Sequence, residues 1–196
     1  MSSKKEQRNE THLRILEATW KILEMPAAHI PSMSEVARAA GISRQAVYLH
    51  FTSRAELLIS TIQFIDERQG LPERLAQIYE CESAIDMLDR CVEIWGAYLP
   101  EIKGISAALI QLRDSDPEVL EAWNETVRCL TEVCKDCISR LSKEGLLARD
   151  WTASRATAMF AGLLSIPAWD ELRRAGWSNR DYISNLKLTA RRTFCI

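Results

Sequence analysis

Between seven glycines and six prolines, the apolar residues of this 196-residue chain return at intervals of three and four and almost nowhere alternate. That period belongs to amphipathic helices, and no stretch reads as a strand, so the expected fold class is all-α. Several starts and stops are written in the sequence. Ser32 followed by Glu35, and Ser53 followed by Glu56, have the spacing of capping boxes, in which a hydroxyl and a carboxylate each satisfy an orphan backbone N–H. Asp116 before Pro117 is a cap followed by proline in the first turn, and Gly145 and Gly176 close long periodic runs. The reading gives nine or ten helices, near residues 7–24, 33–39, 44–50, 54–69, 72–80, 84–99, 102–113, 117–144, 152–175 and 179–193. Pro167 is expected to kink the ninth of these.

With 47% hydrophobic and 27% charged residues, the chain has enough apolar content for the core of one or two domains. Its formal charge of -2 excludes a polycation that coats nucleic acid by charge alone, so any such binding must be local. The charge is unevenly spread: residues 1–54 hold eight Lys or Arg against five Glu, whereas the remainder is net acidic. The start of the chain lacks the apolar run of a secretory signal, so the six cysteines (81, 91, 129, 134, 137, 195) are read as reduced thiols of a cytoplasmic protein. The stretch from Ala158 to Trp169 is broken by Gly162, Ser165 and Pro167 and is shorter than the roughly 18–20 residues a bilayer requires, so no membrane partner is expected.

Inside the basic quarter, Ser32 to Tyr48 has the grammar of a helix-turn-helix: a short capped helix, a turn at Gly41, and a new helix after Ser43. Val36, Ile42 and Val47 are positioned to form a small core between the two helices, with Ile15, Leu16, Trp20 and Leu23 of the first helix supplying the missing face. A tight corner in an ordinary helical bundle would need the same glycine and alanines. Ser43, Arg44 and Gln45 at the start of the second helix, together with the local positive charge, favour nucleic acid.

Three segments carry a resemblance to the TetR family of bacterial transcriptional regulators: Arg14 to Ala18, Glu35 to Ser43, and Val47 to Leu57, the last containing Tyr48, His50, Phe51, Ser53, Arg54, Glu56 and Leu57 in register. The resemblance implies an N-terminal three-helix DNA-binding domain over residues 1–53 and a helical effector-binding and dimerisation domain over 54–196. It places the helix starting at Arg44 in the major groove. There Arg44 can make a bidentate contact to guanine, Gln45 can pair with adenine, and Ala46 can meet a thymine methyl. By the same resemblance Tyr48, His50 and Arg54 are phosphate clamps, which position the protein without reading sequence; Ser43, which caps the helix, is a further phosphate candidate, and Ser32 is counted among the DNA-binding residues. Lys4, Lys5 and Arg8 are candidates for a basic arm over the backbone or the minor groove, with a flexible, solvated terminus as the favoured alternative. Two departures stand out: Met25 to Pro31 replaces a glycine-containing turn with a loop stiffened by two prolines, and Gln45 stands where glycine is common.

A two-fold operator needs paired heads and therefore a homodimer. Leu120, Trp123, Val127, Leu130, Cys134, Cys137 and Leu141 form a seam along the helix from Pro117, and the next helix offers Ala156, Phe160 and Leu163 among small residues. These are the expected dimer contacts, although the same periodicity would serve a monomer core. Phe64, Trp95, Tyr98, Ile102, Ile105, Leu109, Leu112 and Trp123 lie where the family surrounds an effector cavity, so a small hydrophobic or aromatic effector is expected, with plain core packing as the alternative. The lever between cavity and head would be the helix over 54–69. No cofactor, metal or catalytic motif is expected: the three histidines form no metal-ligand pattern, and no Gly-x-Ser-x-Gly, phosphate-binding loop or dinucleotide fingerprint is present. Cys129, Cys134 and Cys137 keep a thiol- or metal-responsive regulator open as an alternative, beside a DNA-binding protein without ligand control.

Overall fold

The computed structural model describes residues 2–25 and 29–196, with side chains from Lys5 onward. Pro26 and the side chain of Lys4 lie outside the described residues, and with them part of the loop and arm expectations. Ten helices are present among the described residues: α1 (Ser2–Leu23), α2 (Met33–Ala39), α3 (Arg44–Tyr48), α4 (Arg54–Arg68), α5 (Leu71–Tyr79), α6 (Ala84–Leu112), α7 (Pro117–Lys143), α8 (Ala153–Leu163), α9 (Ile166–Arg174) and α10 (Asn179–Phe194). The fold is all-α, and among the described residues no helix is long and apolar enough to cross a membrane.

The expected starts and stops at Ser32, Asp116, Gly145 and Gly176 are where the sequence placed them. Asp116 accepts from the amides of Glu118 and Val119, while Gly145 and Gly176 take positive φ. The box expected at Ser53 is only half formed. Ser53 Oγ accepts from Glu56 N, but the Glu56 carboxylate turns to the amide and hydroxyl of Thr52 instead of the Ser53 amide.

Two prolines behave against expectation. The helices expected over 84–99 and 102–113 are one 29-residue helix, α6, with Pro100 inside it. Pro100 has no N–H for the carbonyl of Gly96, but the side chain of Asn179, the first residue of α10, donates to that oxygen at 2.9 Å. The helix expected over 152–175 is instead two, α8 and α9, broken rather than kinked. Pro167 likewise leaves the Leu163 carbonyl without its helical donor, and the Tyr182 hydroxyl of α10 takes it at 3.0 Å. Here Ser165 adopts extended angles and caps the new helix, its Oγ accepting from Ala168 N, so the chain restarts with Pro167 in the first turn of α9. The α6 proline has no such cap beside it, and the helix runs on.

The chain divides into two compact units, one comprising residues 1–69 and 102–124, the other 70–101 and 125–196. In the first, α1 packs on α2 and α4, and α2 on α3. Gly104 of α6 passes so close to the end of α1 that a Cβ built there would lie 2.1 Å from the Leu23 carbonyl oxygen. In the second, α8, α9 and α10 pack on one another. Asp89 is buried there and held by Lys187 and Arg191 from α10.

Candidate nucleic-acid interface

The interface is built on the turn between α2 and α3. Ser32 caps α2 in a complete box: its Oγ accepts from Glu35 N at 3.3 Å, and the Glu35 carboxylate accepts from Ser32 N at 2.9 Å. That backbone bond, the bond from the Ser32 hydroxyl and one from His29 together hold the Glu35 carboxyl down at about 2. Gly41 turns the chain with φ +67°, a conformation that costs a side-chain-bearing residue about 1–2 kcal/mol. Ser43 then caps α3, accepting from Ala46 N at 3.1 Å. The inner face of the motif is a single cluster in which Ile15, Leu16, Val36, Ala37, Val47, Phe51, Leu57 and Phe64 are buried, with Trp20 and Ile42 packed against it. A five-residue helix could not hold itself in water. Val47 and Phe51 anchor α3 by what they bury.

What the anchors leave outside is the polar set. Arg44, Gln45 and Arg54 are exposed, as are the two capping serines, Ser32 and Ser43. Tyr48 is 42% exposed. The Arg44 guanidinium carbon lies 5.5 Å from the centre of the Tyr48 ring, and its Nη2 is 3.5 Å from the tyrosine hydroxyl. The pair thus presents a cation lying along an aromatic face. Ala46 is half-buried, so its methyl is only partly presented. The expected helix over 44–50 stops at Tyr48, because Leu49 caps it and the amides of His50 and Phe51 fold back to the Val47 carbonyl. His50 therefore sits beyond the helix, half-buried, with its ring 5.8 Å from that of His12. His12 was missed in the sequence. The signal was there, since Lys5, Arg8 and His12 are spaced three and four apart and so share one face of α1.

The profile of bacterial regulatory proteins of the tetR family matches residues 15–61, which contain this whole motif. Over these residues the chain matches the TetR family. TtgR, an HTH-type transcriptional regulator of Pseudomonas putida, is 30% identical over 84 residues, covering 43% of this chain and 39% of TtgR. The chain thus spans about two-fifths of the length of the first curated relatives it matches. Among solved structures, NalD, the secondary repressor of the MexAB-OprM multidrug efflux pump in Pseudomonas aeruginosa, matches with a TM-score of 0.71 at 25% identity, covering 96% of this chain and 98% of that one. FadR of Bacillus subtilis, a transcriptional regulator solved in complex with stearoyl-CoA, matches with a TM-score of 0.72 over 92% of this chain and 98% of FadR. At 16% identity it speaks for the fold alone.

The residues expected around an effector fall into both units. Phe64, Ile102, Ile105 and Leu109 are buried in the first, where Leu112 and Trp123 are half-buried and the Arg113 guanidinium lies 5.4 Å from the Trp123 ring. Trp95 and Tyr98 are buried in the second, edge to face at 5.9 Å. Clefts of about 490, 690 and 570 Å³ are lined by none of these eight. Of the expected dimer contacts, Cys134, Cys137, Leu141, Ala156 and Phe160 are fully covered by the chain's own side chains and Leu130 nearly so. Leu163 is half-buried, and only Leu120 and Val127 are exposed. The seam on α7 largely faces inward because Cys91 of α6 packs against Cys134 and Cys137 there. Burial drives the Cys91 thiol up, and its bond to Cys137 raises that thiol too. All six cysteines are unbridged, and no group of three potential ligands among the described residues could hold a metal ion.

Proposed function

We propose that this chain is a transcriptional repressor that reads a palindromic operator as a homodimer and is controlled by a small apolar or aromatic effector. Residues 1–53 form the reading head, and residues 54–196 carry effector binding and dimerisation. The observation that carries the reading is the two-sidedness of α3. Val47 is fully buried and holds the helix down, while Arg44, Gln45 and Tyr48 stand in solvent, as does Arg54 at the start of α4. A helix that served only as a corner would have no need of a solvent-facing cation and amide at its start.

In the groove, Arg44 and Gln45 meet base edges, and Ser43, Tyr48 and Arg54 hold phosphates. One such head covers a short half-site, so two must be held ~34–36 Å apart. The exposed Met159 of α8 and Leu188 of α10, on helices that pack together, offer apolar surface to a second copy. For the effector, Trp95 supports an aromatic ligand with an acceptor group: its ring packs against Tyr98, and its buried Nε1 has no hydrogen-bond partner among the described residues. A ligand that fits only one separation of the heads shifts the dimer toward or away from DNA. Complete switching from 1:99 to 99:1 requires ~5.5 kcal/mol of differential affinity.

The test is selection of bound fragments from a genomic library, followed by footprinting. An inverted repeat with paired protected half-sites is expected. Monomeric, sequence-indifferent binding would refute the reading.

A further inference from the structure

We propose that Lys5, Arg8, Asn9, His12 and His50 form a phosphate pocket whose hold on a DNA backbone is coupled to protonation of its two imidazoles. The inference deepens the DNA-binding reading and rests on it. These residues, with Glu6, line a cleft of about 570 Å³ in the first unit, on the same side chains that the missed spacing along α1 brings together. The two rings are not loose. His12 stacks on Phe51 with ring centres 4.7 Å apart, Phe51 itself being a buried part of the head's core, and His50 lies 5.8 Å from His12.

The charged groups facing the pair can be named element by element. Lys5, Glu6 and Arg8 come from α1, and Glu56 from α4 acts on His12. While both imidazoles are neutral, Lys5 and Arg8 balance Glu6 and Glu56, and each proton taken up adds one positive charge. Without an anion that proton is disfavoured. Burial, then Arg8, lower His12 against the opposing pull of Glu56; burial, then His12 and Arg8, lower His50. A phosphate oxygen in the cleft reverses the balance, because its charge offsets Arg8 and gives an imidazolium N–H an acceptor. Asn9 adds a neutral donor.

Binding therefore takes up protons. Affinity for DNA rises as pH falls through the bound-state titration of the imidazoles, by about tenfold per pH unit for each proton taken up, and levels off below their titration in the free protein. The rings repel one another when both are charged, so the first proton is the larger part of the effect. A clamp made only of Lys and Arg would show no such slope between about pH 5 and 8, where histidine alone among unperturbed side chains titrates.

Only three histidines occur, so the imidazole C–H resonances of the full-length protein can be followed individually by NMR, with His29 as the internal control. The titration is run free, with mixed-sequence duplex DNA, and with inorganic phosphate, while retention of the same duplex is measured across the pH range. The expected result is an upward shift of His12 and His50, but not His29, when the anion is present, and weaker DNA retention at higher pH. A shift with DNA alone identifies a backbone contact, and an equal shift with inorganic phosphate identifies a general phosphate pocket. DNA retained with unshifted imidazoles and no pH slope overturns the pocket while leaving the reading head intact. No retention at any pH overturns the DNA-binding reading and the pocket with it. Calorimetry of wild-type binding in buffers of different ionisation heat counts the protons directly and needs no variant; a count of zero is equally fatal. In His50→Gln the pH slope of retention should shrink, and an unchanged slope would overturn the pocket.

Discussion

Replacing Asn179 with Ala should destabilise the chain far more than a half-exposed first-turn residue ordinarily does. The Asn179 amide joins three elements: its nitrogen donates to the Gly96 carbonyl left open by Pro100, and its oxygen accepts from Trp169 Nε1 at 2.8 Å. Trp169 is 3% exposed and Gly96 is buried, so neither bond is readily replaced by water. At about 1–2 kcal/mol for each lost bond, Asn179→Ala should cost about 2–4 kcal/mol. Pro100 sits on the exposed side of α6. Pro100→Ala restores an N–H in register with Gly96, so in that background Asn179→Ala should lose only the tryptophan bond, and the two substitutions should couple by about 1–2 kcal/mol. Urea denaturation of the four proteins of the cycle measures this. At this chain length each kcal/mol corresponds to about 2–4 °C in Tm. Additive costs, within about 0.5 kcal/mol, would refute the idea that the asparagine stands in for the amide that proline lacks.

Arg44→Ala should relax base preference at one position of each half-site by about 1–3 kcal/mol, whereas Arg54→Ala should weaken all sequences alike and reduce the salt slope by about one; binding-site selection and salt titrations separate the two. Gly104→Ala should destabilise despite Ala's better helix propensity of about 1 kcal/mol, because its Cβ would meet backbone at Leu23. Gly162→Ala on α8, with nothing within 4 Å, should be neutral or stabilising in the same melts. Glu35 has a folded-state pKa depressed to about 2, so its contribution is complete above the ordinary carboxylate range and is lost as pH falls from there toward about 2. The stability difference between wild type and Glu35→Gln should fade over that window, and an NMR titration of the Glu35 carboxyl should show the low midpoint. Native protein treated with a disulfide reagent should react at the exposed Cys129, while Cys91, Cys134 and Cys137 should react only on unfolding; fast reaction of the buried three would revive a thiol-sensing role.

The head was the most legible part of the chain because its determinants are local. Ser32, Glu35, Gly41 and Ser43 act within a few residues of themselves, and α2 begins and ends where they place it. Elsewhere the missing information was tertiary. Pro100 and Pro167 are the same residue with the same local defect, and each abandoned carbonyl finds its partner in the first turn of α10, 83 and 19 residues further along the chain respectively. One helix continues and the other breaks because Ser165 stands two residues before Pro167, whereas no hydroxyl cap precedes Pro100. That contrast could have been read from the sequence, but only by asking which carbonyl each proline orphans. The seam on α7 marks a different limit. A three-and-four repeat says that one face is covered without saying by what, and Cys134, Cys137 and Leu141 are covered within their own chain. In the dimer proposed above, the contact with a second copy is therefore to be sought where apolar side chains of the second unit remain in solvent after the chain has closed on itself, at Val127, Met159 and Leu188.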